Sequence, residues 1–228
     1  MPVSFDSFTK NYNEVVNEAI HGTGYDTEGL VAAKLQKIAK LFPSLPKNKF
    51  NLLDFGCGVG NLYGHVAHFF PKAIYTGVDL SKSSIKKARS RFQEHAAFQE
   101  YDSIEWELCK YDLIFSAGVF HHIPHIDHPT IIEKLSCLLN PGGELVIWEH
   151  NPLNPVTQKI VRDCPIDEDA VLVSSKNIKK NFERVSLADI KISYTTFFPH
   201  FLSTLNILDP YLGWLPLGGQ YLVTGKKG

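Results

Sequence analysis

Near residue 50 an apolar run breaks into glycines and then into a helical pattern, in the stretch Leu52-Leu53-Asp54-Phe55-Gly56-Cys57-Gly58-Val59-Gly60-Asn61-Leu62. Few local sequences restrict a fold as tightly. A strand that ends in glycines has backbone free to take positive φ and to come close to a ligand. A helix that begins directly afterwards turns unpaired N–H groups toward the same spot. In open α/β sheets the ligand crevice lies at the carboxyl ends of the strands, beside such a crossover.

The rest of the chain continues the alternation. Segments 50–55, 73–78, 97–101, 111–116 and 144–148 read as strands, and 62–70, 82–92 and 130–139 as helices, with Ser81 as an N-cap and Asn140-Pro-Gly-Gly as a turn. Strands and helices in this order imply βαβ units and a largely parallel sheet. Upstream, residues 5–42 carry apolar positions three and four apart (Val31, Leu35, Ile38, Leu41), so they read as helix, interrupted at Gly22 and Gly24. After His150 two prolines in Asn151-Pro-Leu-Asn-Pro interrupt regular structure. A helix over 174–182 and strands over 186–196 and 220–225 follow, the two strands forming an antiparallel hairpin across a helix-free connection at 197–217.

With 228 residues and no repeat or linker, one domain over 1–228 is expected. Its parts are a helical cap (1–45), a cofactor-binding core (46–150), and an acceptor-side segment with the last two strands (151–228). A formal charge of −1 gives no general attraction to nucleic acid or anionic lipid. No apolar run reaches the ~18 residues of a membrane span, and no secretory leader is expected. Cys57, Cys109, Cys137 and Cys164 form no CxxC pair and read as reduced thiols of a cytoplasmic protein.

The glycine spacing narrows the ligand. Gly-x-Gly-x-Gly puts Asn61 where a dinucleotide fingerprint wants its third glycine. Asp54, just ahead of the loop, would repel a pyrophosphate but suits a cationic amino group or sulfonium. S-adenosylmethionine carries both cations and no phosphate. Asp79, ending the second strand before Leu80, reads either as a bidentate acceptor for ribose hydroxyls or as a helix N-terminal charge. Asp102-Ser103 reads as an adenine contact or an Asx turn. Ser116, Ala117 and Gly118 end the fourth strand, where the methionine part of such a ligand belongs.

Four histidines follow: His121, His122, His125 and His128. Pro124 and Pro129 break the spacing that one metal-binding helix would need, so no metal is expected. His122, with His121 in reserve, reads as a general base; the alternative is packing at a pocket wall. Cys57 reads as a packing residue. Arg162, Cys164, Asp167 and Asp169 form a solvated acidic loop or part of an acceptor site. Phe197, Phe198, His200, Tyr211 and Trp214 read as core, or as an apolar or sugar-stacking wall.

Through LLDFGCGVGNL, YTGVDLS, YDLIFSAGVFHHI and LNPGGELVIWEHNP the chain resembles the class I S-adenosylmethionine-dependent methyltransferases. The resemblance implies a Rossmann-like, doubly wound α/β fold with a seven-stranded sheet. The implied order is 3-2-1-4-5-7-6, with strand 7 antiparallel and the N-terminal helices as a cap. It implies cofactor contacts at Asp54, Gly56, Gly58, Asp79, Asp102 and the Ser116–Ala117 backbone; Cys57, Gly60, Leu80, Ser103 and Gly118 complete the candidate set. FDSFTKNYNEV, EHNPLNPVTQKIVRDCPIDEDAV, TTFFPHF and LGWLPLGGQYLV look like a bacterial subgroup often encoded beside glycosyltransferases. That likeness adds Tyr12 as a cofactor contact and points to O-methylation of a small-molecule or glycan-type acceptor. The rival readings are a non-catalytic S-adenosylmethionine-binding partner subunit and a nicotinamide-dependent oxidoreductase.

Overall fold

Seven apolar segments pair into one sheet: β1 (Phe50–Phe55), β2 (Ala73–Asp79), β3 (Ala97–Glu100), β4 (Tyr111–Ala117), β5 (Leu139–His150), β6 (Ala188–Thr195) and β7 (Gln220–Lys226). Their order in this computed structural model, which describes residues 5–9 and 11–228, is β3-β2-β1-β4-β5-β7-β6. The first five strands run parallel, while β7 is antiparallel to both β5 and β6. The order and the reversed last strand agree with the expectation.

Strand periodicity sorts the interior into two layers. Leu53 and Phe55 of β1, Ile114 of β4 and Leu145 and Ile147 of β5 face a core closed by α6 (His128–Leu138) and α8 (Ser175–Arg184). Phe50 and Leu52, Leu113 and Phe115, and Val146 and Trp148 face the other side. There they meet Leu35 and Ile38 of α3 (Thr27–Leu41), Val66 of α4 (Tyr63–Phe69) and Ile85 and Ala88 of α5 (Lys82–Phe92). Asp54 shares the second face with Leu52, so its carboxylate is carried under the N-terminal helices.

Those helices are a short α1 (Phe5–Phe8), α2 (Tyr12–Ile20) and α3. The expected break at Gly22 and Gly24 is present: Gly24 has φ +73° after a single turn over His21–Thr23, and the Asp26 side chain caps α3 by accepting from Gly29 N at 2.7 Å. Lys10, inside the expected helix, lies outside the described residues.

Three expectations need correction. Asn140-Pro-Gly-Gly is not a separate turn, because β5 begins at Leu139 and the register steps from Tyr111↔Leu139 to Leu113↔Glu144. Gly142, at φ +80°, absorbs the extra residues as a bulge. The break expected after His150 holds over residues 151–154, but Pro155 starts a helix instead of preventing one. Pro155 sits in the first turn of α7 (Pro155–Asp163), where its missing N–H costs nothing, and Asn154 caps it by accepting from Thr157 N at 3.0 Å. The connection at 197–217 is also not helix-free; it holds a 3₁₀ segment over His200–Leu208 and a short α9 (Asp209–Leu212).

Candidate functional site

The carboxyl ends of β1, β4 and β5 form the floor of a cavity of about 490 Å³. Tyr12, Val16 and Ile20 of α2 and Leu30, Val31 and Lys34 of α3 roof it, and Phe197, Phe198 and Phe201 close another side.

On the glycine side the loop is built from backbone. Gly56, Gly58 and Gly60 all hold positive φ, +81°, +52° and +79°. Each has its own reason. A Cβ on Gly56 would stand 2.2 Å from Val119 Cγ2, and one on Gly60 would press on the Phe92 and Phe98 rings at 2.9 and 3.0 Å. Gly58 has nothing within 4 Å of its would-be Cβ, so its open side faces the cavity it lines. Cys57 packs: a Cβ on Gly77 would meet its sulfur at 2.9 Å, and burial pushes its thiol pKa well up.

Asp54, 4% exposed, accepts a 2.6 Å hydrogen bond from the Tyr75 hydroxyl. Burial pushes its pKa up to about 7, although that hydrogen bond opposes the shift. Lys34, half-buried across the cavity, has its pKa lowered by burial, with Glu149 and Asp54 pulling the other way.

Asp79 grips the loop. One carboxylate oxygen accepts from Gly58 N at 2.8 Å and the other from Ser81 N at 2.8 Å. Both oxygens are thus engaged by backbone N–H groups, one in the glycine loop and one at the start of α5. The cap of α5 is completed by Ser81 Oγ, which accepts from Ser84 N, and α1 is fastened beside it by Asp6, which accepts from the Ser81 and Ser83 hydroxyls.

The opposite wall is built from side chains. His121 stands in a 3₁₀ turn over Phe120–His122, and its Nδ1 lies 2.6 Å from Glu149 Oε2. The other Glu149 oxygen accepts from Val119 N and Phe120 N at 2.8 and 2.7 Å. Burial works against both charges, but each holds the other: His121 is raised far above an ordinary imidazole and Glu149 sits well below an ordinary carboxylate. Asp167 ends a turn over Pro165–Asp167 and places Oδ1 3.4 Å from His121 Nε2 and 3.3 Å from His122 Nε2. Burial opposes the Asp167 charge, yet the two imidazoles hold its pKa low. His150, the last residue of β5, packs its ring 5.1 Å from that of His121, and burial, with the His121 charge, pushes its pKa down to about 4.

Among the candidates, Tyr12, Asp54, Gly56, Cys57, Gly58, Ala117, Gly118, His121 and His122 line the cavity. Gly60, Asp79, Leu80 and Ser116 stand behind or beside it: Leu80 is 71% exposed, and the buried Ser116 hydroxyl has no partner among the described residues. Asp102 and Ser103 border a separate hollow with Arg89, Gln99, Glu100 and Glu105.

The histidine run divides. His128 is buried and its Nε2 contacts the carbonyls of Phe120 and Ile123, which pins the loop, and His125 is exposed with Nε2 3.2 Å from Val171 O. In the acidic loop Arg162 points to solvent, whereas Asp167 turns into the cavity. Tyr211 and Trp214, each 75% exposed, are not core residues.

Sequence reading passed over Lys34, Glu149 and His150. Glu149 had a usable signal: alternation along β5 puts it on the buried face after Leu145 and Ile147, where a charge needs a partner.

A family described as "Methyltransferase domain" matches residues 53–145. The chain is similar to the trans-aconitate 2-methyltransferase of Methylobacterium radiotolerans, 34% identical over 111 residues that cover 48% of this chain and 42% of that protein. It is also similar to that of Rhizobium meliloti, 26% identical over 194 residues, covering 76% and 74%. The matched stretch thus spans less than half of the Methylobacterium protein. In architecture the chain resembles a Thermotoga maritima SAM-dependent methyltransferase, described as a possible histamine N-methyltransferase, over 100% of both chains with a TM-score of 0.68 and 15% identity.

Proposed function

We propose that the chain is a class I S-adenosylmethionine-dependent methyltransferase and that it methylates an oxygen of a small acceptor seated against the His121–His122 wall. The observation that carries this reading is Asp54, a buried carboxylate at the head of a positive-φ glycine loop, facing a cavity large enough for a cofactor and a second small molecule. The donor set fits the cofactor. Asp54 complements its amino group, the open side of Gly58 leaves room for close approach, and Ala117 and Gly118 line the place of the methionine part. By family likeness Asp79 takes the ribose hydroxyls, Asp102 and Ser103 the adenine, and Tyr12 covers the site from α2. Bound S-adenosylmethionine supplies an electrophilic methyl group on a sulfonium, whose carbon–sulfur electron pair leaves with the sulfur.

The chain's task is then alignment, exclusion of water and handling of one proton. His122 lines the cavity with Nε2 3.3 Å from Asp167 Oδ1, and this pair takes up the proton lost by the acceptor hydroxyl. His121 is committed to Glu149 and positions the wall.

The acceptor follows from charge. The ionisable side chains lining the cavity include Asp54, Glu149 and Asp167 against Lys34 and the imidazoles, and no arginine lines it among the described residues. A tricarboxylate such as trans-aconitate is poorly matched to such a wall, whereas a neutral hydroxyl-bearing molecule, including a sugar-containing one, suits it. The widely spaced free cysteines support a reducing, cytoplasmic setting for the reaction.

Calorimetry tests the reading directly: S-adenosylmethionine and its demethylated product should bind at micromolar order and NAD far more weakly. Preference for NAD ends the proposal. In an acceptor screen, hydroxylated sugar derivatives should release demethylated product faster than trans-aconitate. With the acceptor found, His122→Ala should lower turnover ~10²–10⁴-fold and leave cofactor affinity unchanged.

A further inference from the structure

We propose that His121, His150 and Asp167 form a binding site for a divalent transition-metal ion of the zinc class, with Glu149 orienting one of its ligands. Each of the three residues offers one donor atom, all within 4.8 Å of one another, and all three line the cavity. They come from three elements, the turn after β4, the end of β5 and the Pro165–Asp167 turn, so the site is a product of the fold.

One distance fits a metal site better than a direct hydrogen bond. His121 Nε2 and Asp167 Oδ1 are 3.4 Å apart. That is long for an N–H···O bond, which prefers about 2.7–3.2 Å. It matches the separation of two ligands on a tetrahedral ion, because bonds of about 2.0–2.1 Å at the tetrahedral angle place donors about 3.3–3.4 Å apart.

The surroundings agree. A metal-bound histidine commonly gives its other ring N–H to a carboxylate, which fixes the tautomer. His121 Nδ1 stands 2.6 Å from Glu149 Oε2, and Glu149 is itself held by two backbone N–H groups, which leaves Nε2 turned to the centre of the triad. Glu149 and Asp167 place two carboxylates beside the cavity, and a divalent ion that displaces the His121 proton takes over the balance of their charge. Two imidazoles and one carboxylate make the donor set of open zinc sites, in which a further position stays free for water or substrate. That free position faces the cavity. Resting on the methyltransferase reading, the ion holds the acceptor oxygen there.

The test uses the full chain after treatment with a chelator. Zn²⁺ titrated by calorimetry should bind at one equivalent per chain, and Co²⁺ should give a visible absorption band of low-symmetry coordination. His150→Ala and Asp167→Asn should each weaken Zn²⁺ binding by more than about a hundredfold. Glu149→Gln should weaken it about 10–100-fold, the usual effect of losing a ligand-orienting partner. His125→Ala, which removes an exposed member of the histidine run outside the triad, should change nothing. Thermal melts identify any variant that fails to fold, and His150→Gln then replaces it.

Absence of Zn²⁺ binding overturns the proposal. So does binding that survives both His150→Ala and Asp167→Asn, or a thiolate-to-cobalt charge-transfer band that places the ion on a cysteine. S-adenosylmethionine binding to the metal-free protein is measured in parallel. Its loss would overturn the methyltransferase reading while leaving the metal result standing, and the reverse holds equally.

Discussion

On the glycine-loop side of the cavity the ligand-facing surface is largely backbone, whereas across the cavity it is side chain. The loop from Gly56 to Gly60 owes its form to three positive φ values and to the grip of Asp79 on two N–H groups. Its single charge toward the cavity, Asp54, is held by one hydroxyl. The facing wall depends on a buried chain of charges, Glu149 to His121 to Asp167, gathered from distant parts of the sequence. A backbone cradle serves one invariant ligand, since its shape follows from glycine positions alone. A side-chain wall can be exchanged piece by piece without disturbing the sheet, which is why scaffolds of this kind vary their acceptors there.

Removing a charge from the wall should have the largest effect. Glu149→Ala leaves His121 buried without its partner and two backbone N–H groups unpaired, at a cost of about 3–5 kcal/mol in urea unfolding. A loss below about 1 kcal/mol would show that the wall is not held by this pair.

The glycines should divide next. Gly56→Ala combines a left-handed φ with a 2.2 Å clash and should destabilise the fold by about 3 kcal/mol. Gly58→Ala meets no neighbour and should cost only about 1–2 kcal/mol from its φ. Its cofactor affinity should nonetheless fall more than tenfold. If the two variants lose equal stability and equal affinity, the distinction between a structural and a ligand-facing glycine fails.

The smallest effect is one of pH. Asp54 has its pKa raised to about 7, so the folded chain keeps this proton where the unfolded chain has already lost it. Its contribution to stability is therefore most favourable below the ordinary value of 3.8, declines as pH rises toward 7, and is level beyond. Cofactor binding should run the opposite way, because the cationic amino group needs the ionised carboxylate. Affinity should rise about tenfold between pH 6 and 8, with a proton released on binding at the lower pH. Asp54→Asn should flatten that profile and weaken binding at pH 8; an unchanged profile would remove Asp54 from cofactor recognition.

How far the site could be read ahead of the fold follows the same division. Asp54, the three glycines and Asp79 lie within two strand ends and the loop between them, and hydrophobic alternation with glycine spacing marks them locally. The helix at Pro155–Asp163 was legible from Asn154 and a first-turn proline, but two prolines together read more readily as a break. Lys34, His150 and Asp167 carry no local mark. Nothing near Asp167 in the chain separates it from the exposed Glu168 and Asp169.

What the sequence determined by itself is the alternation of strands and helices, and with it the largely parallel sheet and the glycine-loop edge of the cavity; the full strand order was implied by the family resemblance. Periodicity and backbone freedom are properties of neighbouring residues, so they survive reading along the chain. Tertiary structure alone decided which of four histidines meets a buried carboxylate, that Asp167 turns inward, and that α2 and α3 lie over Asp54. Those outcomes depend on which charges the fold removes from water, and a charge out of water must find a partner wherever the packing brings one.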